Sequence, residues 1–234
     1  FLNIAAAISC SCLLYSILLK LAEVLFHVSA LHEAGYICSI LFIIPGFPFI
    51  TSGIDLSKLD LRSGLERLSY SIIIVLVATM TAWIMALLLH LQPLNFTSMD
   101  LNPILHLFLR LIASFCGVFG FSIMFNSPVK MAAIAAAMGA LANTFRLELV
   151  DLTGMPAAAA AFIGALTAGL LASLIKKYNG YPRISLTVPS IVIMVPGLYL
   201  YRAFYNFGIM SLTDAFSWGA AAIMIIIALP LGLI

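Results

Sequence analysis

Charged residues are scarce in this chain. Asp, Glu, Lys and Arg make up 9% of its 234 residues, whereas a soluble domain carries about 25%. Hydrophobic residues account for 64%, so too few polar side chains remain to cover a surface in water. The few Lys and Arg residues are scattered, which excludes the basic stripe of a nucleic-acid-binding protein. The composition therefore predicts an all-α protein that crosses a membrane several times.

Residue groupings that would hold a metal, a phosphate or a catalytic nucleophile are also missing. The four histidines lack metal-ligand spacing, and no second His follows His32-Glu33 to complete a zinc-protease motif. The sequence contains no Walker loop and no G-x-S-x-G motif. The four cysteines lie in apolar segments, so we expect neither a disulfide nor a metal site. These absences argue against an ATP-driven pump or a membrane hydrolase, and we predict no cofactor.

The chain is rich in long apolar segments. A membrane-spanning helix needs about 20 mainly apolar residues. Eight segments are candidates: 1–19, 35–51, 67–91, 103–125, 129–147, 155–175, 184–205 and 214–234. The segment 129–147 is the weakest, because it is rich in Ala and has Arg146 near its end. The chain begins inside one candidate span at Phe1 and ends inside another, so we expect it to be part of a longer protein.

Lys and Arg are distributed unevenly among the connections between these spans. An excess of these residues marks the cytoplasmic side of a membrane protein. Seven of the eleven lie in or beside the connections 52–66, 126–130 and 176–183. The alternate connections hold Arg146, or two residues if Lys20 is counted with them. We therefore expect those three connections to face the cytoplasm.

Two of the apolar segments are interrupted by Pro-Gly, at positions 45–46 and 196–197, which are 151 residues apart. Proline removes an intrahelical donor, and glycine lets the chain turn or lets a ligand approach the backbone. Pro48 is expected to break the first segment a second time. Paired interruptions in two halves indicate a transporter binding site, and a simple helix kink is the alternative. We expect the two broken helices to meet near the bilayer midplane.

The number of spans between the two interruptions predicts how the halves are related. The second interrupted segment lies five spans after the first, and an odd number reverses the direction of crossing. The halves are then an inverted repeat. We assign 1–91 to the later part of the first repeat, 92–102 to an outer connection and 103–234 to the second repeat. If 129–147 does not span the membrane, the repeat becomes parallel.

Three charged residues near or within the spans are candidates for function. Asp55 follows the first interruption and could take up a proton or bind a substrate amine; the alternative is a cap of the adjoining loop. Arg202 lies near the outer end of its span, and Arg110 lies about two turns into another. Because a buried Arg is costly in lipid, each must reach the interface or pair inside the protein.

The turn at 126–128, Asn-Ser-Pro, separates two candidate spans. Proline suits the first turn of a helix, so Pro128 is expected to open the second of them. We expect Asn126 to cap that helix.

Small residues are concentrated in the segments 129–147 and 155–175. Close backbone approach at Gly and Ala drives helix association in lipid. We therefore interpret these residues as packing surfaces.

These motifs resemble the threonine/serine exporter family of inner-membrane proteins. The resemblance rests on I-P-G-F-P-F-I-T-S-G-I-D-L and R-S-G-L-E-R-L in the first half, and on G-F-S-I-M-F-N-S-P and T-V-P-S-I-V-I-M-V-P-G-L-Y-L-Y-R in the second. The second half of the family is nearly complete, and the first is represented by its later helices. Ile193-Met194 stand where the family has Pro-Leu. The resemblance implies proton-driven export of threonine, serine or similar small neutral amino acids.

The resemblance, with the interruptions, yields a predicted site. The expected substrate-binding residues are Pro45, Gly46, Gly53, Asn126, Pro196, Gly197, Tyr201 and Arg202. Asp55 is expected to couple protons, and Pro48 and Pro128 to break helices. The expected partners are the amino acid, protons, the lipid bilayer, and either a homo-oligomer or a companion half-transporter chain. The alternative function is a non-transporting membrane subunit or scaffold that needs a partner chain.

Overall fold

The structure, a computed structural model, describes residues 1–27, 35–91 and 101–233, and of 177–179 the backbone alone. Residues 92–100 of the predicted outer connection, His32 and Ile234 lie outside the described residues. The described residues form α-helices joined by 3-10 turns and short connections, with no strand among them. The predicted all-α fold class is confirmed.

The helices are long enough to cross a membrane several times. In chain order, the described ranges form α1 Leu2–Phe26, α2 Tyr36–Ile40, α3 Gly46–Ser57, α4 Leu61–Leu89, α5 Pro103–Met124, α6 Val129–Thr153, α7 Ala157–Asn179, α8 Arg183–Ile191, α9 Gly197–Gly208 and α10 Leu212–Leu233. By length and hydropathy these ranges hold 7 candidate spans, with α8 and α9 counted as one, and there are 8 if the pair α2–α3, bent by 47°, is one broken span. The doubtful segment 129–147 belongs to α6, which meets both criteria. The polytopic membrane architecture is confirmed.

Several helices extend beyond the predicted spans. The predicted connection 52–66 shortens to 58–60, because α3 runs to Ser57 and α4 begins at Leu61. Likewise α6 continues past Arg146 to Thr153, where Gly154 ends it at φ +66°. The span length counts only the residues needed to cross hydrocarbon, so polar helix ends beyond the membrane are missed by that criterion.

Two predictions about helix breaks are corrected. Pro48 does not break the first segment again, because α3 runs through it from Gly46 to Ser57. A proline in the first turn of a helix removes no intrahelical hydrogen bond. Asn126 does not cap α6, whose N-cap is Pro128. It follows the end of α5 instead, in the left-handed conformation at φ +60°, and its N–H donates to the carbonyl of Ile123.

The described residues group into two compact units. Unit 1 holds those within Phe1–Pro45, Ser69–Asp100 and Gly197–Ala222, and unit 2 holds those within Gly46–Leu68, Leu101–Pro196 and Ile223–Ile234. The chain passes from one unit to the other at each Pro-Gly pair. Each interrupted segment therefore contributes its first part to one unit and its second part to the other.

The core of unit 1 joins α1, α2, α4 and α9 around two tyrosines. Tyr36 on α2 and Tyr201 on α9 are 0% and 1% exposed. Their hydroxyls share a hydrogen bond of 2.5 Å, and their rings meet edge to face with centroids 5.8 Å apart. Buried polar groups need such partners, so this bond lets two phenols occupy an apolar core.

The core of unit 2 is built on small residues, and α6 packs along α5, α7 and α8. A Cβ added at Gly139 of α6 would lie 2.5 Å from the carbonyl oxygen of Ser190 on α8. Five alanines of α7 have no exposed surface: Ala160, Ala161, Ala165, Ala168 and Ala172. The interpretation of these small residues as packing surfaces is confirmed, because close approach of helix backbones requires them.

The interrupted segments and the turns that follow them repeat at a spacing of 151 residues. Helices α3 and α9 each follow a 3-10 turn and an extended residue, Ile44 (φ −61°, ψ 122°) or Val195 (φ −61°, ψ 133°). Each ends before a left-handed non-glycine residue, Leu59 (φ 64°) or Met210 (φ 63°), a rare conformation for a bulky side chain. The same local structure therefore occurs twice. Whether the two repeats are inverted, and whether they divide at 92–102, stay predictions.

Candidate functional site

The two interruptions are packed by equivalent contacts. In unit 2, a Cβ at Gly46 would lie 2.9 Å from Val192 and 3.2 Å from Val195, the residue before the second Pro-Gly. In unit 1, a Cβ at Gly197 would lie 2.8 Å from Leu41. Leu41 and Val192 are themselves 151 residues apart. Each glycine thus permits close approach of protein at the break. Gly46 and Val195 bring the two interrupted segments into contact, and that they meet near the bilayer midplane stays a prediction.

A guanidinium group supports the main chain at the second interruption. Arg146 on α6 donates a hydrogen bond of 3.2 Å from Nη1 to the carbonyl oxygen of Met194. Chain breaks leave carbonyls without intrahelical partners, and in lipid such groups must be satisfied within the protein. The sequence placed Arg146 at the start of a connection and missed this role. Gly is a common helix stop signal. If Gly154 had been taken as the end of this helix, α6 would have been predicted to continue past Arg146.

Unit 2 contains an open cavity of about 670 Å³. Its walls come from the first turns of α3, from α4, from the turn between α5 and α6, and from α8. The lining residues are Phe47, Pro48, Thr51, Arg67, Phe125, Ser127, Met131, Ile184, Ser185 and Pro189. Small-molecule sites occupy roughly 300–1,000 Å³ and combine apolar walls with a few polar groups, so this cavity has the size and composition of a ligand site.

The polar groups of the cavity are one cation and three hydroxyls. Arg67 forms an ion pair with Asp55, with 2.8 Å between Nη1 and Oδ2. The Asp55 side chain is 21% exposed and that of Arg67 is 52% exposed, so the guanidinium is the more accessible member of the pair. Thr51 donates its hydroxyl hydrogen to the carbonyl of Phe47, which leaves its oxygen able to accept. A charged ligand group can therefore meet a guanidinium that is already oriented.

The predicted site residues are only partly brought to this cavity. Pro48 lines it, and Asp55 adjoins it through Arg67. The other predicted residues are not among its lining residues: Pro45, Gly46, Gly53, Asn126, Pro128, Pro196, Gly197, Tyr201 and Arg202. The four residues of the Pro-Gly pairs are buried, and Gly53 lies against the ring of Pro230. In this conformation these positions are therefore packed within protein.

Arg202 lies against an aromatic ring. Its guanidinium carbon is 4.7 Å from the ring centroid of Trp218, in unit 1. Trp218 in turn meets the ring of Tyr199 edge to face at 5.2 Å. A cation over an indole is stabilised by about 0.5–2 kcal/mol, more when it is desolvated. Arg202 therefore has a partner within unit 1, and whether it also reaches the membrane interface stays a prediction.

Comparisons with known proteins agree with the motifs. A family model described as Threonine/Serine exporter, ThrE, matches residues 110–234, and a second family model, also of threonine/serine exporters, matches residues 1–89. The chain belongs to the threonine/serine exporter family. It is therefore a transporter of that type. No curated protein and no solved structure matches the chain.

Arg110 of this exporter has its partners on the neighbouring helix. Its guanidinium pairs with Glu148 at 2.8 Å and with Asp151, both near the end of α6. The Arg110 side chain is 18% exposed. Deeper along the same two helices, Asn143 donates to the hydroxyl of Ser114 at 2.9 Å. These contacts fix α5 to α6, and the sequence could not supply them because the partners are 38 and 41 residues away.

The cavity of this exporter contains polar residues that sequence reasoning did not select. Thr51 and Ser127 lie within the motifs that carry the family resemblance, and Arg67 follows R-S-G-L-E. We counted Arg67 only as a loop charge, because its distance to Asp55 is set by the turn between α3 and α4. The presence of Thr51 and Ser127 hydroxyls inside these motifs was the available signal. Among the described residues, no three His, Cys, Asp or Glu side chains come together as a metal site.

Proposed function

We propose that this chain is a secondary exporter of small neutral hydroxy amino acids, threonine or serine, and that it is driven by protons. The observation that carries the proposal is the family match on both parts of the chain. The paired interruptions and the cavity beside the first of them support it, since broken helices hold the substrate in many transporters. Transport of this kind needs no cofactor and no catalytic reaction.

The proposed orientation places the exporter in the inner membrane with 52–66, 126–130 and 176–183 on the cytoplasmic side. The excess of Lys and Arg in these connections supports it. Because α6 is long and apolar enough to span, five spans still lead from the first interruption to the second. We therefore infer an inverted repeat, with its halves divided at 92–102.

The proposed transport path includes the eight residues predicted from the interruptions and the family. These are Pro45, Gly46, Gly53, Asn126, Pro196, Gly197, Tyr201 and Arg202. Five of them are buried in the present conformation, namely Pro45, Gly46, Pro196, Gly197 and Tyr201. That burial is compatible with this role, because alternating access moves one part of a carrier against another around the breaks. Glycine and proline at the breaks can then expose main-chain groups to the substrate in a different conformation.

Asp55 is the proposed proton acceptor, and the charged group shown to face it is Arg67. Asp55→Asn cannot exchange a proton, so export should lose its response to an imposed pH gradient while threonine–threonine exchange continues. Asp60→Asn is the matched control: Asp60 is exposed and accepts a bond from the N–H of Ser63. An Asp55→Asn variant that still follows the pH gradient would remove Asp55 from this role.

The function is tested by reconstituting the purified chain alone into proteoliposomes. With a pH gradient imposed, labelled threonine and serine should move against their own concentration gradients, and collapse of the gradient should stop net movement. Absence of threonine and serine flux would refute the substrate assignment. Flux that appears only when a second membrane protein is added would favour the alternative, a subunit that needs a partner chain.

A further inference from the structure

We propose that the unit 2 cavity is the site where the exporter receives its substrate from the cytoplasm, with Arg67 as the ligand of the amino acid's carboxylate. The proposal rests on the function proposed above and adds the place and the chemistry of recognition. Arg67 is the charged residue among those that line the cavity.

The position of the cavity in the chain supports access from the cytoplasm. Ser127 lies in the turn between α5 and α6, and Ser185 lies in the first turn of α8. Arg67 lies about two turns into α4. Each of these helix ends adjoins one of the connections with excess Lys and Arg, which the positive-inside rule assigns to the cytoplasm. An exporter must take up its cargo on that side.

The chemistry of Arg67 suits a carboxylate. A guanidinium carries five N–H donors in a planar fork and binds carboxylates in pairs of hydrogen bonds. One of its nitrogens contacts Asp55 at 2.8 Å, and this ion pair orients the group. The geometry of the fork permits Asp55 and a second carboxylate to be bound together. The half-exposed guanidinium is thus arranged as a receptor for the charged end of an amino acid.

The remaining walls suit the rest of a small hydroxy amino acid. Thr51, Ser127 and Ser185 offer hydroxyls that can both donate and accept. Phe47 and Phe125, with ring centroids 5.2 Å apart, supply the apolar surface. A site of this composition would bind a compact zwitterion with a hydroxyl group more readily than a large charged solute.

The first test probes access and occupancy with a single cysteine. Ser127→Cys is introduced after the four native cysteines are replaced, and inside-out vesicles are treated with a membrane-impermeant maleimide. We expect labelling from the cytoplasmic side that threonine slows several-fold. Thr153→Cys, at the other end of α6 and exposed, is the control: it should react only when the maleimide is applied to the outer face, and threonine should not change that labelling. A Ser127→Cys side chain that is inaccessible, or that small amino acids do not protect, would overturn the proposal.

The second test asks whether Arg67 binds the carboxylate of the amino acid. Loss of a charge-assisted hydrogen bond should raise the threonine concentration for half-protection about tenfold or more in Arg67→Gln. In Arg67→Lys the threonine concentration for half-protection should lie between those of the wild type and Arg67→Gln. Arg62→Gln is the control, since Arg62 lies on the same helix with a side chain 90% exposed. Threoninol, which lacks the carboxylate, should not protect Ser127→Cys. Unchanged half-protection in Arg67→Gln would overturn the role of Arg67.

Flux measurements separate failure of this inference from failure of the proposed function. Threonine flux in the wild type without threonine protection at Ser127→Cys would overturn the cavity site and leave the function standing. Protection by another small amino acid, in a chain that moves neither threonine nor serine, would uphold the site and overturn the substrate assignment.

Discussion

Gly139 lies where α6 crosses α8, and adding a single methyl group there tests whether this crossing holds the second interrupted segment in place. In Gly139→Ala the new Cβ would lie 2.5 Å from the carbonyl oxygen of Ser190 and 2.7 Å from a methyl of Val118. Carbon contacts are comfortable at about 3.5–4.0 Å, so α8 must shift by roughly 1 Å. Gly120→Ala is the control, because among the described residues no atom beyond its own stretch of α5 lies within 4 Å of its Cβ position.

The expected magnitude follows from comparing the two variants. Alanine is favoured over glycine within a helix by about 1 kcal/mol, and this gain applies equally to both positions. Overpacking of a close contact costs about 1–3 kcal/mol and applies only at Gly139. The difference in the free energy of unfolding between the two variants therefore reports the steric overlap at Gly139 alone. We expect Gly120→Ala to be at least as stable as the wild type. The free energy of unfolding of Gly139→Ala should be about 1–3 kcal/mol lower than that of Gly120→Ala.

Thermal unfolding in detergent micelles measures this difference. For a chain of this size 1 kcal/mol corresponds to about 2–4 °C in Tm. Threonine flux is measured in parallel, and it should fall in Gly139→Ala because Ser185 and Pro189 of the displaced α8 line the cavity. Equal Tm values for the two variants would show that α6 and α8 are not in backbone contact at Gly139. The reasoning about small-residue packing would then fail.

Two further predictions concern partly buried arginines. Arg110→Met should lower Tm more than Arg62→Met, because Arg110 pairs with Glu148 and Asp151 while the side chain of Arg62 is 90% exposed; equal Tm values would contradict this. Arg146→Gln should slow threonine flux more than Arg146→Lys, because the longer charged donor can still reach the carbonyl before the second interruption. Equal flux in the two Arg146 variants would show that this hydrogen bond does not support the break.

The accuracy of the sequence-based predictions differed with the range of the interaction. The apolar spans and the paired Pro-Gly interruptions could be predicted, because membrane insertion and helix breaking depend on residues adjacent in the chain. Asn126 was placed on the wrong helix, since a turn between helices offers both a C-terminal and an N-terminal position. The partners of Arg110 were not predicted, because they lie a whole helix away along the chain.

By itself, the sequence determined that this chain crosses a membrane as helices, that two of them are interrupted 151 residues apart, and that its motifs are those of the threonine/serine exporter family. These properties are local, since hydropathy and the missing proline N–H act within one segment. The tertiary structure alone decided that Arg146 supports the second interruption and that Arg67 stands before Asp55 at a cavity. Such placements depend on how helices distant in sequence pack, and no pattern within a single segment contains that information.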